Sequence, residues 1–278
     1  MAAKNFSQVD VFSQIPFQGN PVAVVFDADD LPDDQLAAFA RWTNLSETTF
    51  LLPPTQPKAD YRLRIFTPGG ELPFAGHPTL GSCHAWLSSG NVPQAASTIV
   101  QECGAGLVRI RNDAGRLAFA APPLRRTGPL EQETLQRAVR SLGIAPAQVL
   151  DQQWVDNGPG WFGLLLDSAA SVLAVRPDFA AMRGMKIGLI GPHPAGSTAD
   201  YEVRAFVPDL GVNEDPVTGS LNAGLAQWLI GAGAAPDSYT VRQGTVLGRD
   251  GRVHIDRVGA DIWIGGNTTT CVAGTVSF

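Results

Sequence analysis

Two stretches of this chain are near copies of each other, and this internal repeat constrains the fold more than any other feature of the sequence. Residues 60–68 read DYRLRIFTP and residues 200–208 read DYEVRAFVP, so five of nine positions are identical at a spacing of 140 residues. Weaker matches upstream and downstream keep the same order at similar spacings. Such self-similarity predicts a duplicated domain. The alternative is that strand–turn–helix units rich in Gly and Pro look alike by chance.

Each half of the chain is predicted to contain short strands and helices in a similar order. Apolar residues recur with a helical period over 33–43 and 78–89, and they alternate over 61–66. In the second half, 220–230 repeats the helical pattern of 78–89, and 201–207 repeats the alternation. The two halves are therefore expected to share one local fold.

A Pro-rich, basic segment at 121–127 (APPLRRT) is the candidate linker. We predict an α/β (α+β) chain of two pseudo-symmetric domains, residues 1–122 and 123–266, with a cleft between them. Ligand sites favour such interfaces.

Composition and charge exclude several classes of function. With 44% apolar residues the chain can bury a core, and a net charge of −6 gives no basic face for nucleic acid. No run approaches the ~18 apolar residues of a membrane span. Three cysteines without a C-x-x-C pair predict neither a disulfide framework nor a metal site, and they favour a reducing cytoplasm.

Two loops precede the predicted central helices, FTPGGELPFAGHP in the first half and VPDLGVNEDPVTGS in the second. Helix N-termini carry bare N–H donors and favour carboxylate or phosphate. His77 lies at the first of these termini. Asp215 lies 138 residues further on, close to the repeat spacing, so the two are expected to face each other across the cleft. The alternative is ordinary capping by Thr218 or Ser220, with Asp215 in a solvated turn.

Glu47 is a third candidate because it has no counterpart in the second half. Aligning LLPP at 51–54 with LIGP at 189–192 places Met185 opposite Glu47. One carboxylate without a symmetry mate suits a reaction with a single proton shuttle. The alternative is an exposed glutamate in a loop.

A G-x-G-x-x-G match at 158–163 (GPGWFG) is rejected as a dinucleotide site. A strand-like apolar run follows it, whereas the nucleotide fingerprint opens a helix. Lys186 is the one plausible Schiff-base lysine, and nothing else supports that chemistry.

Four motifs in order resemble the PhzF-like isomerase family of phenazine biosynthesis: QGNPVAV at 18–24, SET at 46–48, GHPT at 76–79 and EDPVTGS at 214–220. The resemblance spans essentially the whole chain. It implies a relative of diaminopimelate epimerase, with each domain a curved mixed sheet or barrel around a central helix. It also implies that a last strand, about 267–278, completes the first domain.

The resemblance implies roles as well. Glu47 would be the acid/base, with His77 and Asp215 as its partners, and the enzyme would need no cofactor and form a homodimer. The substrate-binding positions would be Asn20, Ser46, Gly76, Gly219 and Ser220. The well-defined family reaction isomerises trans-2,3-dihydro-3-hydroxyanthranilate, so a small carboxylated metabolite is the expected partner.

Two other functions stay open at this point. One is an epimerase or racemase of an amino acid. Epimerases of this fold place a cysteine at the start of each central helix. This chain has Ala75 at that place in the first half and Pro216 or Val217 in the second. The other is a metabolite-binding protein without catalysis, which would have no need of the Glu47, His77 and Asp215 set.

Overall fold

The computed structural model describes residues 3–210 and 212–278. The chain divides into two compact units, one formed by Met1–Ala120 with Gly265–Phe278 and the other by Ala121–Ile264.

The first unit contains nine strands and two helices among the described residues. The strands are β1 (Ala3–Val11), β2 (Asn20–Val25), β3 (Thr48–Leu52), β4 (Tyr61–Thr67), β5 (Gly70–Leu72), β6 (Ile99–Cys103), β7 (Gly106–Asp113), β8 (Arg116–Ala120) and, from the end of the chain, β17 (Thr268–Ser277). The helices are α1 (Asp33–Thr43) and α2 (Gly76–Ser88).

The second unit holds the remaining helices and strands. The helices are α3 (Gln132–Leu142), α4 (Ala169–Ala174) and α5 (Gly219–Gly231). The strands are β9 (Val149–Trp154), β10 (Trp161–Leu166), β11 (Lys186–Pro192), β12 (Tyr201–Phe206), β13 (Glu214–Asp215), β14 (Ser238–Gln243), β15 (Gly251–Val258) and β16 (Asp261–Gly266), whose last two residues belong to the first unit. Single turns of 3-10 helix occur at Pro146–Gln148, Pro208–Leu210 and Thr245–Leu247.

Both units pair their strands in the same order and sense. In the first, β2 is antiparallel to β1 and parallel to β3, β3 is antiparallel to β4, β4 is parallel to β6, and β6 is antiparallel to β7. The second unit repeats this series. There, β10 is antiparallel to β9 and parallel to β11, β11 is antiparallel to β12, β12 is parallel to β14, and β14 is antiparallel to β15. A short strand, β5 or β13, pairs with β4 or β12 before the central helix. The predicted pseudo-symmetric α/β architecture is confirmed.

In each unit the strands enclose a central helix that is buried along most of its length. Ten of the thirteen residues of α2 are buried, and this helix contacts strands β1, β2, β3, β4, β6, β8 and β17. The α5 helix is equally buried, with ten of its thirteen residues out of contact with solvent. Because each helix buries residues on nearly every side, strands surround it.

Outer helices cover the other face of each sheet. In the first unit, Leu36 and Ala40 of α1 pack on Phe50 and Phe66 of β3 and β4. In the second, α3 and α4 cover the apolar side chains of β10 and β11. The helix predicted over 33–43 is present with those bounds, and α2 and α5 begin two and one residues before their predicted starts.

Strand pairing shows which residues of the two units are equivalent. We call two residues mates when they occupy the same ladder position in the two units. Phe66 and Phe206 are mates within the nine-residue repeat, and they pair with Thr48 and Ile187 respectively. Thr48 and Ile187 are therefore mates.

The same reasoning covers the segment that enters each central helix. Phe66 pairs with Glu71, and Phe206 pairs with Glu214, so these two glutamates are mates. In each unit the first residue of the central helix, Gly76 or Gly219, lies five residues after this glutamate. The two helices therefore align without a gap.

The glycine-rich stretch at 158–163 is the second copy of residues 19–24, where the turn after β1 ends and β2 begins. By the ladder register, residues 158–160 are the mates of 19–21, the last two of which already belong to β2. Asp156 accepts hydrogen bonds from two amides of the second turn at 2.7 and 2.6 Å, and Asp10 accepts one from the first turn at 2.9 Å. This gives a structural reason why the stretch is not a nucleotide-binding motif.

Among the described residues, no helix combines the length and the apolar character that crossing a membrane requires. The three cysteines, Cys83, Cys103 and Cys271, are all free thiols.

Close approach to the central helix requires glycine at Gly224, and this gives a stability prediction. A Cβ there would lie 2.3 Å from the carbonyl oxygen of Val155, whereas a Cβ on Gly231, in the last turn of the same helix, meets nothing within 4 Å. We expect Gly224→Ala to lower the free energy of unfolding by about 1–3 kcal/mol, because a backbone carbonyl cannot give way cheaply.

Gly231→Ala is the matched control, and it should leave stability unchanged or raise it by about 0.5–1 kcal/mol through helix propensity. Urea unfolding followed by circular dichroism measures both variants. Equal losses in the two variants would contradict the packing argument.

Candidate active site

Glu47 is presented by the loop that joins α1 to β3. The helix ends at Thr43, and Asn44 adopts the left-handed conformation with φ of 54° that commonly ends helices. The hydroxyls of Thr43 and Thr48 lie 2.8 Å apart and fasten the two ends of the loop together. The Glu47 side chain is 15% exposed, so it is not the solvated loop glutamate of the alternative interpretation.

His77 lies in the first turn of α2 and is almost fully buried. Its Nε2 atom is 3.3 Å from Oε2 of Glu47, and both of these atoms are shielded from solvent. On the other side of the ring, Nδ1 is 3.3 Å from Nδ2 of Asn20, which is itself only 1% exposed. The structure therefore brings together three predicted site residues, Glu47, His77 and Asn20.

Burial keeps the imidazole of His77 neutral. It lowers the pKa of His77 from its ordinary 6.5 to about 3, and a hydrogen bond with the backbone of Pro21 opposes this shift only in part. The ring therefore carries a single N–H at neutral pH, and this proton can be on either nitrogen.

A neutral ring can serve both protonation states of its carboxyl neighbour. With the proton on Nε2, the ring donates towards a Glu47 carboxylate, and Nδ1 accepts from Asn20. With the proton on Nδ1, Nε2 can accept from a protonated Glu47. A neutral ring 3.3 Å away can thus accommodate Glu47 both as a carboxylate and as a carboxylic acid, the two states through which an acid/base residue passes.

Asp215 lies in the second unit, at the end of β13 and four residues before α5 begins. Its neighbour Glu214 forms a two-pronged ion pair with Arg204 of β12, at 2.9 and 2.8 Å. Arg204 also donates to the carbonyl of Val175 at 2.7 Å. The hydroxyl of Thr218 donates to Oδ2 of Asp215 at 2.5 Å. These contacts fix the backbone and the side chain of Asp215.

The duplicated ladders correct two sequence-based interpretations. His77 is the mate of Ser220, and Asp215 is the mate of Leu72, so His77 and Asp215 are not symmetry mates as their spacing suggested. Both residues still differ from their mates in chemistry, and each unit therefore carries its own polar group.

The counterpart of Glu47 also changes by one residue. Since Thr48 and Ile187 are mates, Glu47 corresponds to Lys186, and the alignment with Met185 is wrong. Lys186 donates to the carbonyl of Pro159, the mate of Asn20, at 2.5 Å. The second unit thus has no carboxylate at the position of Glu47, as predicted.

The remaining predicted substrate-binding residues lie at the two helix starts and beside Glu47. Gly76 and Gly219 are the first residues of α2 and α5, and Ser46 is half-buried in the loop before β3. The hydroxyl of Ser220 accepts a hydrogen bond from Nε1 of Trp161 at 3.0 Å. Thr218 occupies the N-cap position of α5, yet its side chain makes no capping hydrogen bond. The capping alternative therefore does not hold for Thr218.

Sequence reasoning missed Gln243 and Asn222. The side chain of Gln243 is fully buried at the end of β14 and contacts Thr218 and Asn222. A single glutamine within a strand produces no periodic signal, so only the fold shows that it reaches the loop of Asp215.

The buried Cys83 and the half-buried Cys103 are both poor bases at neutral pH. Burial raises the pKa of Cys83 to about 12 and also raises that of Cys103, so both stay protonated at neutral pH. The residues that precede α2 and α5 are Ala75 and Thr218, and neither is a cysteine. The paired thiols expected of a two-base racemase are therefore absent from these two described positions.

Comparison with known proteins identifies the family of this chain. The model of the family described as phenazine biosynthesis-like protein matches residues 9–274. The chain is 38% identical over 296 aligned positions to antisense-enhancing sequence 1 of Schizosaccharomyces pombe, covering 99% of both chains. It is 32% identical over 281 positions to the trans-2,3-dihydro-3-hydroxyanthranilate isomerase of Pseudomonas fluorescens, covering 98% of this chain and 99% of that one.

Solved structures agree on the fold. The Enterococcus faecalis phenazine biosynthesis protein of the PhzF family superposes with a TM-score of 0.82 at 24% identity, covering all of both chains. A hydroxyproline epimerase from Agrobacterium vitis superposes with a TM-score of 0.60 at 16% identity, covering 99% of this chain and 92% of that one. At these identities the likeness concerns the fold alone, and it confirms the predicted epimerase-like architecture.

The duplication provides a matched test of how firmly the segment of Asp215 is held. Arg204 and Glu214 are 3% and 6% exposed, while their mates Arg64 and Glu71 form the same two-pronged pair at 21% and 42% exposure. Arg204→Met leaves a buried carboxylate without its partner, so we expect it to lower the free energy of unfolding by about 3–5 kcal/mol.

The mate variant Arg64→Met is the control, and it should cost about 1 kcal/mol or less, because water screens an exposed pair. Denaturant unfolding compares the two variants. A smaller loss for Arg204→Met than for Arg64→Met would show that burial does not decide the strength of these pairs.

Proposed function

Because this chain belongs to the phenazine biosynthesis-like protein family and is an isomerase, we propose that it relocates a proton on a small carboxylated substrate, with Glu47 as its single acid/base. The observation that carries the proposal is the contact between the carboxyl group of Glu47 and the buried, neutral imidazole of His77 at 3.3 Å. The named substrate of the Pseudomonas fluorescens relative, trans-2,3-dihydro-3-hydroxyanthranilate, is the first substrate to test.

The proposed step moves one proton and changes no oxidation state. The carboxylate of Glu47 removes a proton from a carbon beside a conjugated system, and the electron pair of that C–H bond enters the system. Glu47, now a carboxylic acid, returns the proton to a second carbon, which forms a new C–H bond and restores the carboxylate. His77 stays neutral throughout this cycle and neither gains nor loses a proton.

The environment of Glu47 supports a single-base mechanism. Its mate is Lys186, whose ammonium group is bonded to a backbone carbonyl, so duplication has not supplied a second carboxylate at that position. Preorganised donors around developing charge are a large catalytic contribution. Asp215 is proposed as a further partner on the strength of its E-D-P motif, and the amides near Gly76 and Gly219 are proposed to bind the carboxylate of the substrate.

Three parts of the proposal rest on the family resemblance and the composition. The enzyme is proposed to work without a cofactor, to form a homodimer and to act in the cytoplasm, where free thiols such as its three cysteines stay reduced.

Replacing Glu47 tests the assigned role directly. Glu47→Gln keeps the size of the side chain but cannot cycle a proton, so we expect kcat to fall by about 10²- to 10⁴-fold. The assay follows trans-2,3-dihydro-3-hydroxyanthranilate by NMR in heavy water, which reports turnover and any deuterium placed on carbon. Glu133→Gln, on the exposed surface of α3, is the matched control and should keep wild-type kcat.

Wild-type turnover by Glu47→Gln would overturn the acid/base assignment. A wild-type chain that leaves this substrate unchanged would overturn the substrate assignment instead, and a panel of carboxylated metabolites would then be assayed in the same way.

A further inference from the structure

The buried side-chain amide of Gln243 makes four hydrogen bonds, to the loop that carries Asp215 and to the start of α5. Its Oε1 atom accepts from the backbone N–H of Thr218 at 3.1 Å and from Nδ2 of Asn222 at 2.9 Å. Its Nε2 atom donates to the hydroxyl of Thr218 at 2.9 Å and to the backbone carbonyl of Asp215 at 3.1 Å. A fully buried amide with four such bonds is rigidly placed.

These bonds have a fixed direction. A backbone N–H can only donate, so the N–H of Thr218 requires the oxygen of the Gln243 amide to face it, and the NH₂ group then faces the Thr218 hydroxyl. The hydroxyl accepts from Gln243, and its own proton is left to be donated to Oδ2 of Asp215 at 2.5 Å. The chain of bonds from Gln243 through Thr218 to Asp215 therefore runs one way and delivers a donor to one carboxylate oxygen.

The fold does not require this arrangement, because the other unit builds the same turn and helix without it. The ladder mates of Asp215, Thr218, Asn222 and Gln243 are Leu72, Ala75, Thr79 and Cys103. We call the chain of hydrogen bonds from Gln243 through Thr218 to Asp215 the relay. In the other unit, Leu72 has no carboxylate to orient and Ala75 has no hydroxyl to donate a hydrogen bond, so the relay is confined to the unit that carries Asp215. This favours a role in the function of Asp215 over a role in folding.

We propose that Gln243 is a positioning residue that orients the carboxylate of Asp215 for the reaction through the hydroxyl of Thr218. The inference rests on the proposed function, in which Asp215 is a partner of the acid/base. The bonds from Gln243 and Thr218 hold Asp215 by its backbone carbonyl and by Oδ2.

Three variants, two at Thr218 and one at Gln243, test the relay. Thr218→Val removes the hydroxyl at constant shape, and we expect kcat to fall about 10- to 100-fold, the range for a lost hydrogen bond to a charged group, with KM changed less than about threefold. Thr218→Ser restores the hydroxyl and should recover most of that loss. Gln243→Glu keeps an acceptor for Thr218 and Asn222 but removes the NH₂ group that donates to both Thr218 and Asp215, so it should lower kcat as Thr218→Val does.

The control is Gln227→Glu on α5. Gln227 donates one hydrogen bond to the carbonyl of Pro122 and belongs to no part of the relay, so its kcat should stay at the wild-type value. Thermal unfolding of every variant shows whether it is folded at the assay temperature. If Gln243→Glu does not fold, the Thr218→Val and Thr218→Ser pair, which differ only at one side chain, decides the question.

Asp215→Asn separates the two ways of failing. If Asp215→Asn keeps wild-type kcat, the role proposed for Asp215 is wrong. If Asp215→Asn is impaired while Thr218→Val and Gln243→Glu keep wild-type kcat, the relay is wrong and the proposed function stands. Equal kcat for Thr218→Val and Thr218→Ser would likewise overturn the relay, whereas a loss in the first that the second recovers supports it.

Discussion

The burial of His77 against Glu47 is the interaction on which the rest of the account depends. A charged imidazole is costly in an environment of low polarity, so the ring stays neutral, and a neutral ring has one donor and one acceptor. That property lets it satisfy a carboxyl group in either protonation state. The first turn of α2, the turn before β2 and the loop before β3 all converge to create this contact.

The two units share one framework and differ in their polar side chains. Both units use the same strand order, the same buried central helix and the same two-pronged Arg–Glu pair between the repeated strand and the short strand that follows it. The polar clusters differ. One unit has Glu47 with His77 and Asn20, and the other has Asp215 held by Thr218 and Gln243. Each cluster is absent from the mate positions of the other unit.

Much of the fold could be predicted from the sequence because its strongest signals are local. The nine-residue repeat and the helical periods identified the duplication and its central helices. Equivalences across loops were less secure. β3 and β11 are apolar along most of their length, so an alignment by residue type slipped by one and paired Glu47 with Met185. The loop between β12 and β13 is longer than its counterpart, which shifted the spacing and made His77 and Asp215 look like mates. Gln243 could not be found, because its role depends on contacts between distant segments.

The protonation of His77 tests the central claim most directly. The chain has four histidines, so their imidazole ¹⁵N signals can be assigned by replacing each in turn and then followed from about pH 5 to about pH 8. The account predicts a His77 ring that stays neutral throughout this range and whose Nε2 signal changes when Glu47 is replaced by Gln. A His77 ring that titrates near the ordinary value of 6.5, with signals indifferent to Glu47, would contradict it.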